Sequence, residues 1–144
     1  MNSIQSIAQS LMTIHQRLSG RYGPLTRPQL RILTMLAKDQ RTVSELAEHL
    51  NISSSGVTQA LDKLQCNHYI IRKPDGCDQR VVQISITHTG LLALEEAQLQ
   101  YEYRVSELLQ QLTKQQQEEL SCLLHHMVND DFDLTPRQTR DSNE

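Results

Sequence analysis

Residues 42–64 read TVSELAEHLNISSSGVTQALDKL, and the fold turns on how this stretch breaks. Thr42 with Glu45 three residues later is the pattern of a helix-opening capping box, and Val43, Leu46, Ala47 and Leu50 then share one inner face. Asn51 follows at a stop position, where a tight turn needs positive φ and Asn is the best residue after Gly. Ser53 can cap a further helix whose buried stripe is Val57, Ala60, Leu61 and Leu64. Ala47 is small where two helices must cross closely, and Val57 fills the groove between them. Two short helices joined by such a turn predict a helix-turn-helix.

Downstream, the period changes from helical to alternating. Residues 69–73 (YIIRK) are a short β-type run, and residues 82–86 (VQISI) alternate apolar and polar side chains as a half-buried strand does. The turn-rich residues 74–80 (PDGCDQR) lie between them, so one β-hairpin with a protruding tip follows the helix-turn-helix. From residue 88 to about 112 the chain is helical again, with Leu91, Leu94, Ala97, Tyr101, Val105, Leu108 and Leu112 at steps of three or four. Such a helix is about 37 Å long, more than a compact domain of this size needs, and its surplus face must be covered from outside. Thr113 and Gln116 form another capping pattern before the stripe Leu120, Leu123, Leu124, Met127 and Val128. Residues 129–144 are acidic, contain Pro136 and lack a period, which predicts a flexible tail.

Upstream, Thr26 and Gln29 make a capping box with Pro28 in the first turn, opening a helix through Leu30, Leu33 and Ala37. Gly20, Gly23 and Pro24 separate it from a first helical stripe of Ile4, Ile7, Ala8, Leu11, Ile14, His15 and Leu18. The expected fold is mainly α with a small β-hairpin wing. A winged helix-turn-helix occupies residues 25–90, and residues 1–20 and 88–128 form a helical dimerisation region, all within one domain of 144 residues.

Composition narrows the function. With 38% apolar residues and a mean hydropathy of −0.50, no stretch approaches the roughly 20 apolar residues of a membrane span. The chain opens without a secretory signal pattern, and three cysteines (Cys66, Cys77 and Cys122) are too few for a disulfide framework, so a cytoplasmic protein is expected. One Phe, four Tyr and no Trp leave little material for a base-stacking platform. Residues 27–90 carry eight Lys/Arg against six Asp/Glu, whereas the rest carries six against eleven. A mildly basic middle between acidic ends is compatible with an anionic partner.

Residues 25–90 resemble the MarR family of bacterial transcriptional regulators. The stretches that carry the resemblance are LTRPQLRILTMLA, TVSELAEHLNISSSGVTQALDKL, DGCDQRVVQISIT and the closing THTG. The most specific part is Asp78-Gln79-Arg80 before the alternating run, followed by Thr87-His88-Thr89-Gly90. With the outer helices included, the resemblance spans residues 1–128. It implies a homodimer on double-stranded DNA at a pseudo-palindromic operator. The helix after Ser53 would enter the major groove and the wing would reach the adjacent minor groove. It further implies repression relieved by a small-molecule effector. The DNA-binding residues it points to are Ser53, Ser54, Ser55, Thr58, Gln59, Lys63, Lys73, Gln79 and Arg80. It also implies a wing-orienting pair between Arg80 and Asp62. The chain departs from the family pattern at Gln59 and Cys77, where many members carry a cation, while Lys63, Arg72, Lys73 and Arg80 remain.

Three other readings compete. A thiol-responsive regulator needs an accessible cysteine of lowered pKa, and Cys77 lies in the wing, whereas Cys66 ends a helix on its packed side. A metal-responsive one would draw on Glu118, Cys122, His125 and His126, but adjacent histidines point about 100° apart on a helix and no metal site is assigned. A winged-helix protein-interaction module without DNA binding would suit the acidic pI near 6.1. No nucleophile elbow, phosphate loop or acid pair falls in a recognisable frame, so neither catalysis nor a cofactor is expected.

Overall fold

The computed structural model describes residues 2–78 and 80–128; the expected tail at 129–144 and Gln79 lie outside the described residues. The element order is α1 (Ser3–Arg17), β1 (Arg21–Tyr22), β2 (Leu25–Thr26), α2 (Arg27–Leu36), α3 (Val43–Leu50), α4 (Ser54–Cys66), β3 (Ile70–Pro74), β4 (Val82–Ile86), α5 (His88–Leu109) and α6 (Lys114–Val128). It is a mainly α winged-helix fold with a hairpin wing.

Local chemistry sets most boundaries. Asn2 and Gln5 close a capping box on α1, as Thr26 and Gln29 do on α2, where Pro28 occupies the first turn. The Thr42 hydroxyl accepts from the Glu45 amide at 3.2 Å and donates to the Glu45 carboxylate. Half of the expected box on α3 therefore forms, because the Glu45 side chain engages the hydroxyl. Asn51 ends α3 in the left-handed region at φ 53°, as its position in the turn demands. Thr113 and Gln116 cap each other ahead of α6.

The core joins Ile32, Leu33 and Leu36 of α2, Leu46 and Leu50 of α3, and Val57, Leu61 and Leu64 of α4. It is completed by Tyr22, Leu25 and Leu30 and by Ile70, Ile84, Leu94 and Ala97. Antiparallel β3 and β4 pair Ile70 with Ile86 and Arg72 with Ile84. Arg41 adds a bridge on the outer side of β4, exchanging backbone hydrogen bonds with Ile84 at 2.8 and 3.1 Å. The wing's inner strand is thus held on both edges.

Three features differ from the sequence expectation. The break between α1 and α2 is a tight β1–β2 hairpin whose Tyr22 and Leu25 are fully buried. Tyr22 is latched by α5: the Arg104 guanidinium stacks 4.4 Å above its ring and donates to the Ser19 and Arg21 carbonyls. The Gln100 side chain also accepts from the Gly23 amide at 2.6 Å, and Tyr101 meets the Tyr22 ring edge-on. The buried stripe of α5 is Gly90, Ala93, Leu94 and Ala97, so Leu91 is exposed, and the helix ends at Leu109 instead of about residue 112. Finally, Cys66 is exposed and not packed.

The described residues divide into two compact units that part between Leu108 and Leu109. In the first, α1 buries no residue, and Ile4, Ile7, Leu11, Met12 and Ile14 are exposed. In the second, α6 likewise buries none, leaving Leu123, Leu124 and Met127 open.

Candidate nucleic-acid interface

The helix-turn-helix divides α4 into two faces. Val57, Leu61 and Leu64 are completely buried, whereas Ser54, Ser55, Thr58, Gln59, Asp62 and Lys63 are exposed. The outer face therefore carries hydroxyls, an amide, one carboxylate and one ammonium, with no side chain needed by the core. Such groups can meet both phosphate oxygens and base edges in a major groove. Ser53, expected to contact DNA, is the N-cap: its hydroxyl accepts from the Gly56 amide at 3.1 Å and lies 3.2 Å from the Ser55 hydroxyl.

The wing loop folds on its own aspartates. Asp75 Oδ1 accepts from the Cys77 amide, and Asp78 Oδ1 accepts from the Arg80 amide at 3.0 Å. Arg80 itself is exposed. Lys73, Cys77 and Arg80 thus stand out around the hairpin's free end, with α4's outer face as the other polar surface of the winged part.

The expected pair between Arg80 and Asp62 is corrected by the structure. Asp62 Oδ1 accepts instead from Nη2 of Arg72 at 2.9 Å, and Nη1 of the same guanidinium donates to Gln65 Oε1 at 2.7 Å. The reason lies in strand geometry. Alternate residues of a strand share a face, so Arg72 points with buried Ile70 toward α4, whereas Arg80 lies beyond the strand in the loop. Arg72 pairs with Asp62 and Arg41 with Glu45, while Lys63, Lys73 and Arg80 form no ion pair among the described residues. Gln65 and the role of Arg72 escaped the sequence reading; the two-residue step from Ile70 was the signal for them.

Two further groups of interest do not assemble. Cys66, Cys77 and Cys122 are free thiols. Among the described residues no three His, Cys, Asp or Glu side chains gather into a metal-holding group. No helix among them is long and apolar enough to cross a membrane.

A sequence profile of the MarR family matches residues 24–81. The transcriptional regulator ZitR of Lactococcus lactis is 35% identical over 103 residues, covering 69% of this chain and 71% of ZitR. The HTH-type transcriptional repressor MdtR of Bacillus subtilis is 32% identical over 95 residues, covering 65% of this chain and 61% of MdtR. The crystal structure of apo MarR from E. coli shares the fold, with a TM-score of 0.76 at 24% identity over 89% of this chain and 98% of that one.

Proposed function

This chain belongs to the MarR family of transcriptional regulators, and we propose that it works as a homodimeric repressor on a pseudo-palindromic operator. The observation that carries the reading is the two-faced α4, whose exposed side is entirely polar and whose packed side is entirely apolar. In the proposed complex, residues 25–90 form the DNA-binding part. Ser54, Ser55, Thr58, Gln59 and Lys63 of α4 lie in the major groove, with Ser53 at its entrance. Lys73, Gln79 and Arg80 meet the backbone and minor groove beside it. Residues 1–20 and 88–128 supply the dimer contacts, supported by the bare apolar faces of α1 and α6. The repressor role is supported by the likeness to MdtR. Relief by a small-molecule effector belongs to the same proposal.

The test is selection of duplexes from a random-sequence library, followed by gel shifts at low and moderate salt. A palindromic consensus with half-sites about one helical turn apart, bound more weakly as salt rises, is the expected result. Failure to enrich any sequence would refute the reading and favour a protein-interaction module.

A further inference from the structure

We propose that Arg72 is a positioning residue for DNA recognition, a clasp on β3 that sets the angle between the wing and α4; the inference rests on the DNA-binding reading above. Its guanidinium reaches two acceptors on successive turns of α4, Asp62 at 2.9 Å and Gln65 at 2.7 Å. Those residues are three apart and share one helix face, so a planar fork with separate donors matches them and a lysine ammonium would not.

The clasp sits where leverage is greatest. The hairpin leaves α4 after only three residues, 67–69, and Ile70 is its buried anchor on this strand. Ile84, opposite Arg72 and bridged to Arg41, anchors the other strand, and beyond these two residues the hairpin runs out to an exposed tip, so a small rotation about them displaces the tip widely. Arg72, one strand repeat further out, is the last residue of β3 hydrogen-bonded to α4. Its side chain is 28% exposed and that of Asp62 60% exposed, so the pair adds little to folding stability. What it supplies is direction.

The clasp also has an electrostatic effect. Asp62 is the sole acidic residue of α4, on the face turned away from the core. A carboxylate there repels phosphates unless a cation answers it, and Arg72 does so while leaving Lys63, Lys73 and Arg80 free of ion pairs. The two effects predict opposite outcomes when Asp62 is removed. Loss of a negative charge alone tightens DNA binding, whereas loss of the clasp weakens recognition of the selected sequence.

The experiment compares Asp62→Ala, Arg72→Ala and the double variant, using a duplex selected by the parent and a scrambled duplex. Each single variant should lose roughly tenfold in affinity for the selected duplex, and the double variant should lose no more than the worse single. On the scrambled duplex Asp62→Ala should bind slightly tighter and Arg72→Ala slightly weaker. Asp62→Ala that binds the selected duplex as well as the parent, or single losses that add in the double variant, would overturn the proposal. A DNA-free readout uses spin labels on Cys66 and Cys77 in a Cys122→Ser background, at high dilution of labelled chains. Arg72→Gln should broaden that distance distribution with the circular dichroism spectrum unchanged; an unaltered distribution refutes the clasp. If the parent selects no duplex while Arg72→Gln still broadens the distribution, the regulator reading fails and the clasp stands.

Discussion

Two single residues at the junction between α4, the wing and α5 test how tightly it is built. Gly90 packs in the first turn of α5, where an added Cβ would fall inside contact distance of the Tyr69 carbonyl and 2.8 Å from Ile86 Cγ1. Gly90→Ala gains helix propensity but must push backbone aside, so it should destabilise by roughly 1–3 kcal/mol in urea denaturation. His68 is the opposite case, held at φ 62° by the turn out of α4 while its carbonyl accepts from the Thr87 hydroxyl at 2.6 Å. Its exposed ring makes no recorded bond, so His68→Gly should stabilise by about 1 kcal/mol and raise the Tm by a few degrees. A lower Tm for that variant would show that the ring has a role in the fold. The Thr87-to-Gly90 spacing was legible in the sequence as a motif. The clash that makes glycine necessary was not, because Tyr69 approaches from across the hairpin.

At the scale of elements, the helix-turn-helix and the β4 strand were readable because their signals are local: caps, an Asn at a left-handed turn, and alternation. The β1–β2 hairpin was not, since two-residue strands carry no period and Tyr22 packs against a helix some 80 residues later. The Arg80 pairing failed for a similar reason. Family analogy supplied a partner, but strand register decides which arginine faces α4. The Tyr22 latch yields its own prediction. Arg104→Ala removes two hydrogen bonds to backbone carbonyls and a cation–π contact, and should cost about 1–2 kcal/mol. Arg104→Lys should recover little of it, because one ammonium cannot reproduce the fork over the ring. Full recovery in thermal melts would show that charge alone matters there.

For the whole molecule, the balance of buried and bare apolar surface points beyond a single chain. Ile4 is 77% exposed and Met12 73% on α1, and Met127 is 72% exposed on α6, with neither helix burying a residue. Each such side chain is worth roughly 1.5–3 kcal/mol when covered. Sedimentation at micromolar concentration should therefore give about twice 16.5 kDa. Replacing Ile7 and Leu11 with Glu should drive the protein toward monomer and, on the palindromic operator proposed above, abolish binding. A variant that stays dimeric would exclude α1 from the interface. The division of α4 into two unmixed faces carries a historical consequence as well. Since no outward residue from Ser54 to Lys63 contributes to the core, mutations there are released from selection for folding. Duplicated copies of such a gene can drift apart in the sequence they recognise one substitution at a time, each intermediate still a folded protein.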